Sequence, residues 1–313
     1  MPTGGDAAAL DRASSNACRP RSAPTTCPGR GSPAGCGAEG SAHAPGKVPG
    51  RLSDRPRLYP RSVPGRIYAV ANQKGGVGKT TTAVNLAACV ADAGERALVV
   101  DLDPQANATS GLGLHANGSS SYDLLDGAPL LELARPTRLP QLEVVPASAD
   151  LAGAVVELAR REDGDRFLAS ALAGARERWR FVFLDCPPSR GPLTVNALAA
   201  ADRVLVPVQA EYYALEGLSQ LVRSIELVRA RLNPRLALGG VLLTMVDGRT
   251  RLAQDVASEV RRHFGDLVFD TVVPRSVRLA EAPSHGLPAI LYDPRSPGAD
   301  AYWKVAMELV DRT

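Results

Sequence analysis

The sequence contains few lysines, few aromatic residues and few cysteines. Only four of its 36 basic residues are lysines, at positions 47, 74, 79 and 304, so arginine carries nearly all of the positive charge. Aromatic residues make up 4% of the chain, and we therefore expect a core built from alanine, leucine and valine. Five cysteines in 313 residues do not indicate a disulfide-stapled domain, and we expect Cys89 and Cys186 to be free thiols.

The net charge of +3 is distributed unevenly along the chain. Residues 1–65 contain nine basic and four acidic residues, which leaves 27 basic and 29 acidic residues in 66–313. The longer part of the chain is therefore close to neutral. Its overall charge does not indicate a nucleic-acid partner.

Residues 1–64 are predicted to be a disordered tail rich in proline, glycine and arginine. They show no apolar periodicity, so they cannot bury enough surface to offset the entropy of ordering. They also lack the apolar segment of a secretory signal. Three interpretations stay open: a transit peptide, a basic tail that holds DNA weakly, or a start codon placed too far upstream. We expect the folded domain to span 66–313.

A glycine-rich stretch, NQKGGVGKTT at residues 72–81, follows a predicted strand at 67–71 and precedes a predicted helix at 82–91. A strand, a glycine-rich turn and a helix form the context of a phosphate-binding loop. Glycines let backbone N–H groups approach an anion, and the helix N-terminus directs its dipole at that anion. The pattern predicts that Lys79 reaches the outer phosphates and that the Thr80 hydroxyl ligates Mg²⁺.

The loop departs from the usual pattern G-x-x-x-x-G-K-[ST]. Gln73 stands where the first glycine would be, and Lys74 is added at the mouth of the loop. The form K-G-G-x-G-K-T-T resembles the deviant phosphate loop of the ParA/MinD branch of P-loop ATPases, and its flanking residues are similar to those of ParA/Soj partition ATPases. The resemblance covers essentially all of 66–313. It implies binding of ATP and Mg²⁺ by Lys74, Gly75, Gly76, Val77, Gly78, Lys79, Thr80 and Thr81.

Carboxylates follow two further predicted strands. Asp103 lies in the segment DLDPQANAT that ends the strand at 95–101, and Asp185 ends an apolar run at 180–184. Carboxylates at the carboxyl ends of parallel strands face the ligand crevice, although D-x-D-P also fits a turn and Asp185 also fits a helix N-cap. The resemblance implies that Asp103 orients the attacking water near Mg²⁺ and that Asp185 holds the Mg²⁺ shell. The family usually has glycine where Ala106 stands, a change that we expect to be tolerated.

The remaining pattern alternates strands and helices, which indicates an α/β fold: a doubly wound, mostly parallel sheet with helices on both faces, as in P-loop NTPases. The further predicted strands are 142–146, 204–209, 236–245 and 267–272. The further predicted helices are 148–161, 166–178, 214–232, 251–264 and 299–311.

The resemblance implies an ATPase that segregates chromosomes or plasmids in the bacterial cytoplasm, at the nucleoid. It implies a nucleotide-sandwich homodimer in which Lys74 of one subunit reaches the phosphates bound by the other, with Lys79 and Asp103 as further catalytic residues. The ATP-bound dimer would bind DNA non-specifically through Arg249 and Arg278, and a ParB-type partner would stimulate hydrolysis. From composition alone, these two arginines also fit solvated or carboxylate-paired surface positions.

Two other functions share features with this sequence. A MinD-like ATPase acting at a membrane surface shares the nucleotide chemistry, but the last predicted helix lacks a basic amphipathic extension. An iron–sulfur-linked reductase needs paired interface cysteines, a pattern that Cys89 and Cys186 do not form. We therefore favour the DNA-partition ATPase, which does not require a membrane.

Overall fold

The computed structural model describes residues 64–211 and 214–313, so the predicted tail lies outside the described residues except for Pro64. A seven-stranded sheet forms the centre of the described chain. Its strands are β1 (Arg66–Val70), β2 (Ala97–Asp101), β3 (Arg135–Pro136), β4 (Leu142–Val145), β5 (Phe181–Asp185), β6 (Arg203–Gln209) and β7 (Ala237–Thr244).

The strand order is β3-β4-β2-β5-β1-β6-β7, and every neighbouring pair is parallel except β3 and β4. Strands β2, β3, β4 and β5 lie on one side of β1, and β6 and β7 lie on the other side. This reversal creates a switch point beside β1, where open α/β sheets place their ligand crevice at the carboxyl edge. The predicted fold class is confirmed.

Helices cover both faces of the sheet. They are α1 (Lys79–Asp92), α2 (Asn107–Gly111), α3 (Ser121–Leu125), α4 (Leu130–Leu133), α5 (Leu151–Arg160), α6 (Phe167–Ala171), α7 (Ala175–Arg178), α8 (Pro192–Ala200), α9 (Ala214–Arg231), α10 (Arg251–Phe264), α11 (Val277–Glu281), α12 (Ala289–Tyr292) and α13 (Pro297–Asp311), with 3₁₀ turns at Gly265–Leu267 and Ala282–His285.

Each face of the sheet has its own apolar core, because side chains alternate along every strand. In β1, Ile67 and Ala69 pack beneath α5, α8 and α9, whereas Tyr68 and Val70 pack beneath α1 and α13. The two cores are built mainly from alanine, leucine and valine, as the composition predicts. Cys89 and Cys186 are buried free thiols, as predicted.

The last helix, α13, packs against α1 rather than extending from the domain. Tyr302 and Val305 are fully buried on this face, and the Tyr302 hydroxyl lies 3.0 Å from Thr82 Oγ1. Among residues 64–211 and 214–313, no helix is both long enough and apolar enough to cross a bilayer.

The predicted strand at 267–272 is wrong. Val268 forms only an isolated bridge to Val241. Phe269 N and Val273 N still donate to carbonyls of β7 at 2.9 Å each. Between them, the backbone N–H groups of Asp270 and Thr271 turn away and donate to the Glu308 carboxylate at 2.9 Å each. A side chain of α13 therefore interrupts the pairing with β7 that a continuous strand would make.

The predicted helix at 166–178 is also wrong, because the segment forms two short helices, α6 and α7, separated by Leu172-Ala173-Gly174. Asn196 of α8 binds this region through its side chain. Its Oδ1 accepts from Leu168 N at 3.1 Å and its Nδ2 donates to Gly164 O at 2.6 Å. These tertiary hydrogen bonds fix the backbone at the start of α6.

Candidate nucleotide site

The glycine-rich stretch forms a concave loop between β1 and α1. Gly76 and Gly78 have φ values of 73° and 88°, a left-handed conformation that favours glycine. A Cβ atom on Gly75 or Gly76 would meet no atom within 4 Å, so the space above these residues is open. Gly78 caps α1 with no side-chain hydrogen bond, and the first N–H groups of the helix are therefore available to an anion.

Hydrogen bonds from neighbouring strands hold the loop in place. Asn72 Nδ2 donates to Pro207 O at 2.8 Å, and Asn72 Oδ1 accepts from Lys74 N at 3.0 Å. On the other side, Thr244 Oγ1 donates to Val77 O at 2.9 Å. The loop is thus anchored to both β6 and β7, which preorganises its backbone donors.

Lys79 is the first residue of α1 and its side chain is buried beneath the loop, with 6% of the residue exposed. Its Nζ donates to Lys74 O at 3.2 Å. Burial lowers the pKa of Lys79, and the charges of Asp185 and Asp103 oppose this shift. A bound phosphate would favour the charged ammonium in the same way as these carboxylates do.

Asp185 ends β5 and is fully buried between β1 and β2, in register with Val70 and Asp101. Both of its carboxylate oxygens are buried without a hydrogen-bond partner among the described residues. Burial, reinforced by the charge of Asp101, raises the pKa of Asp185, and the nearby Thr80 hydroxyl and Lys79 ammonium oppose the rise. A buried carboxylate with unused acceptors requires a cation or a donor nearby.

These groups fit a hydrated Mg²⁺ ion. Within the described part of the chain, no three His, Cys, Asp or Glu side chains are grouped to hold a metal ion by themselves. Mg²⁺ prefers few protein ligands and several water and phosphate oxygens. Thr80 and Asp185 could hold such an ion directly or through water, and it would neutralise charge on the phosphates.

Asp101 positions the segment that carries Asp103. Its Oδ2 accepts from Thr109 N at 2.9 Å and from Thr109 Oγ1 at 2.7 Å, and its Oδ1 accepts from Asp103 N at 3.1 Å. Burial raises the pKa of Asp101 to about 6. Sequence reasoning placed Asp101 at the strand end but missed this role, although the spacing D-x-D and the threonine eight residues later were available signals.

Asp103 is 8% exposed, and its Oδ1 accepts from Gln105 N at 3.0 Å. Asp103 interacts electrostatically with both Lys79 and Asp185. The structure therefore brings Lys79, Thr80, Asp103 and Asp185 together at one edge of the sheet. Thr81 lies in the first turn of α1, where its carbonyl accepts from Asn85 Nδ2 at 2.8 Å.

Ala106, which follows this segment, has φ 53° and ψ 35°, a left-handed conformation that strains any residue with a Cβ atom. We therefore expect Ala106→Gly to increase the free energy of unfolding by about 1 kcal/mol in a urea titration. The control is Ala152→Gly at an exposed position in α5, which should decrease it by about 1 kcal/mol. A decrease at both positions would contradict the strain at Ala106.

Lys74 does not stand unpaired at the mouth of the loop. Its Nζ donates to Glu211 Oε2 at 2.5 Å, and both side chains are nearly half exposed. The sequence alone does not indicate this pair, because 137 positions separate the two residues. In this chain the lysine predicted to act across a dimer is held by a carboxylate of its own subunit.

Arg249 and Arg278 are each paired with nearby carboxylates. Arg249, whose side chain is 90% exposed, contacts Asp247 at 2.9 Å, and this hydrogen bond lowers the pKa of Asp247 to about 2. Arg278 contacts Glu281 at 2.9 Å and Asp293 at 3.3 Å.

Comparison with known protein families places this site in context. A family model described as an AAA domain matches residues 65–238. The chain is 52% identical over 248 residues to the sporulation initiation inhibitor protein Soj of Bacillus subtilis. This alignment covers 78% of this chain and 98% of Soj. The chain is also 51% identical over 254 residues to the chromosome partitioning protein ParA of Caulobacter vibrioides, in an alignment that covers 80% of this chain and 95% of ParA.

A solved structure extends the comparison to bound nucleotide. Cobyrinic acid a,c-diamide synthase from Mycobacterium smegmatis, crystallised with ADP and magnesium, aligns with a TM-score of 0.69 at 37% identity. The alignment covers 79% of this chain and 94% of the synthase. A related protein with the same fold thus binds a nucleotide together with Mg²⁺.

Proposed function

The chain belongs to the Soj/ParA family of chromosome-partitioning ATPases, and we propose that it segregates DNA through an ATP-bound homodimer. ATP hydrolysis is the activity of this family. The proposal of an ATP-bound homodimer rests on the phosphate loop, which has Lys79 beneath it and Lys74 at its mouth. Lys79 would bind the nucleotide of its own subunit, whereas the exposed Lys74 could reach the nucleotide of a second subunit.

We propose that ATP binds with its phosphates over Gly75–Gly78 and the N-terminus of α1. Lys79 would then contact the outer phosphates, and Thr80 and Asp185 would hold Mg²⁺, which would supply positive charge to the phosphate oxygens. Asp103 orients the attacking water and accepts its proton. This assignment is supported by the unused acceptors of Asp185 and by the nearly complete burial of Asp103 beside it.

Lys74 acts across the proposed dimer. An exposed ion pair contributes about 0–1 kcal/mol, so Lys74 can leave Glu211 for a phosphate at low cost. On the γ-phosphate of the facing subunit, its ammonium would stabilise charge as an arginine finger does. Glu211 would then keep the lysine neutralised in the monomer and release it when the triphosphate is present.

DNA binding is assigned to Arg249 and Arg278 of the ATP-bound dimer. Their carboxylate partners are surface groups, so a DNA phosphate can replace them with little loss. Two subunits double the number of contacts, and affinity should fall steeply with salt through counterion release. Contacts to phosphates alone would read no base sequence. A ParB-type protein is the proposed partner that stimulates hydrolysis at the nucleoid.

The decisive experiment measures binding of a random-sequence duplex with ATP or ADP across a salt series. Wild-type protein should bind tightly only with ATP, and Arg249→Ala combined with Arg278→Ala should lose this ATP-dependent binding while still forming dimers. The control combines Arg160→Ala and Arg223→Ala, two exposed helical arginines. Equal DNA affinity in all three proteins would contradict the assignment of the DNA face.

A further inference from the structure

One buried hydroxyl, that of Thr109, joins three separate segments beside the nucleotide site. Thr109 lies in α2 and is 1% exposed. Its Oγ1 donates to Asp101 Oδ2 at the end of β2, at 2.7 Å, and accepts from Ala147 N, two residues after β4, at 2.9 Å. Because the hydroxyl both donates and accepts inside the protein, it is placed to fix other groups rather than to contact the nucleotide.

Through Asp101, this hydroxyl is linked to the residue that is proposed to act on water. The Asp101 carboxylate also accepts from Thr109 N at 2.9 Å, and its second oxygen accepts from Asp103 N at 3.1 Å. A single carboxylate thus holds both the turn at 102–106 and the helix that follows it. The position of Asp103 therefore depends on the orientation of the Asp101 side chain, which Thr109 fixes from the other side.

The turn at 102–106 needs this support because it is strained. Ala106 has φ 53° and ψ 35°, and a residue with a Cβ atom keeps such a conformation only where the surrounding contacts determine it. Without the Thr109 hydroxyl, Asp101 would lose its shortest hydrogen bond in this network. The turn would then relax and carry Asp103 away from its present position.

The same donors distinguish two neighbouring carboxylates. Asp101 and Asp185 face each other in register on β2 and β5. Both Asp101 oxygens accept from the chain that follows β2, whereas both Asp185 oxygens lack a hydrogen-bond partner in the described part of the chain. Thr109 thus keeps Asp101 turned toward α2 and leaves Asp185 as the open carboxylate of the site.

We propose that Thr109 is a positioning residue for ATP hydrolysis, which acts through Asp101 to hold Asp103 at the attacking water. This inference rests on the proposed role of Asp103. The phosphate loop, and not Thr109, would bind the nucleotide, so loss of the hydroxyl should slow hydrolysis without weakening ATP binding. A displacement of about 1 Å in a reacting group can reduce the rate about a hundredfold.

The test compares Thr109→Val with Thr109→Ser in the full chain. Valine keeps the branched shape but removes the hydroxyl, so we expect kcat to fall about tenfold to a hundredfold at unchanged affinity for a fluorescent ATP analogue. Amide hydrogen exchange at 102–106 should become faster even without nucleotide. Serine keeps the hydroxyl and should restore most of kcat. If the valine variant does not fold, Thr109→Ala against Thr109→Ser isolates the same hydroxyl.

Tyr302→Phe is the control for the loss of a buried hydroxyl. The Tyr302 hydroxyl is also buried, and it bonds Thr82 Oγ1 at 3.0 Å where α13 packs against α1. Its removal should lower the thermal unfolding midpoint but leave kcat unchanged. An equal loss of kcat in Tyr302→Phe and Thr109→Val would overturn the inference, because general destabilisation would then explain both results.

A double variant shows whether Thr109 acts through Asp103. If both changes remove the same function, Thr109→Val should add no further loss of kcat to Asp103→Asn. Losses that multiply in the double variant would overturn the inference. Wild-type kcat in Thr109→Val, or unchanged hydrogen exchange at 102–106, would also overturn it while leaving the proposed function intact. Wild-type hydrolysis by Asp103→Asn would instead count against the proposed function, and this inference would fall with it.

Discussion

Replacing Lys79 with alanine is expected to weaken ATP binding by about a hundredfold or more. The side chain is buried under the phosphate loop, and among the described residues its ammonium donates to one backbone carbonyl, that of Lys74. Removing one partner of a desolvated charge pair costs about 2–5 kcal/mol, and 1.4 kcal/mol corresponds to tenfold in affinity. Titration of the protein into a fluorescent ATP analogue with Mg²⁺ measures the loss.

Two controls make the Lys79 result interpretable. Lys304→Ala removes an exposed lysine of α13 that pairs with Asp300, and it should leave ATP affinity unchanged. Lys79→Arg keeps the charge but introduces a larger, planar group into a buried site, and it should also lose affinity. Tight ATP binding by Lys79→Ala would show that the loop does not hold the phosphates in the assigned way.

Asp103→Asn is expected to lower the rate of ATP hydrolysis by about 10²–10⁴-fold while ATP binding is retained. The amide keeps an oxygen that can accept from Gln105 N, so the local backbone should persist, but it cannot accept a proton from water. ATP-bound dimers should therefore accumulate. Phosphate release measures hydrolysis, and size-exclusion chromatography with ATP measures the dimer.

An aspartate outside the site provides the comparison for Asp103. Asp126 is exposed and faces Arg161 at 3.8 Å, so Asp126→Asn should hydrolyse ATP at the wild-type rate. Wild-type turnover in Asp103→Asn would exclude a catalytic role for Asp103. Loss of ATP binding together with turnover would instead assign Asp103 to positioning or metal binding.

The phosphate loop and the strand-end carboxylates could be predicted because their signals are local. An apolar run, a glycine-rich turn and a helical pattern follow one another within about 25 residues, and β1 and α1 form there as expected. Asp185 was predictable for a similar reason. Its buried strand reads as an uninterrupted apolar run, and parallel strands bring their carboxyl ends to one edge.

Contacts between distant parts of the chain account for the errors and omissions. Glu211 reaches Lys74 from the segment that follows β6, and Glu308 of α13 interrupts the expected strand at 267–272. The sequence around Val268 is apolar enough for a strand, so propensity alone favours the wrong structure there. The sequence around Glu211 or Glu308 does not indicate which distant residue each glutamate contacts.

The carboxyl end of α13 has a practical consequence for labelling. Thr313 Oγ1 lies 2.8 Å from the hydroxyl of Tyr68, a residue of the central strand, and Arg312 lines a cleft there together with Arg66 and Arg203. A fluorescent protein or affinity tag fused after Thr313 would emerge beside that cleft, at the end of the sheet opposite the phosphate loop. A reporter at that position can leave nucleotide turnover unchanged and still obstruct the amino-terminal edge of the sheet.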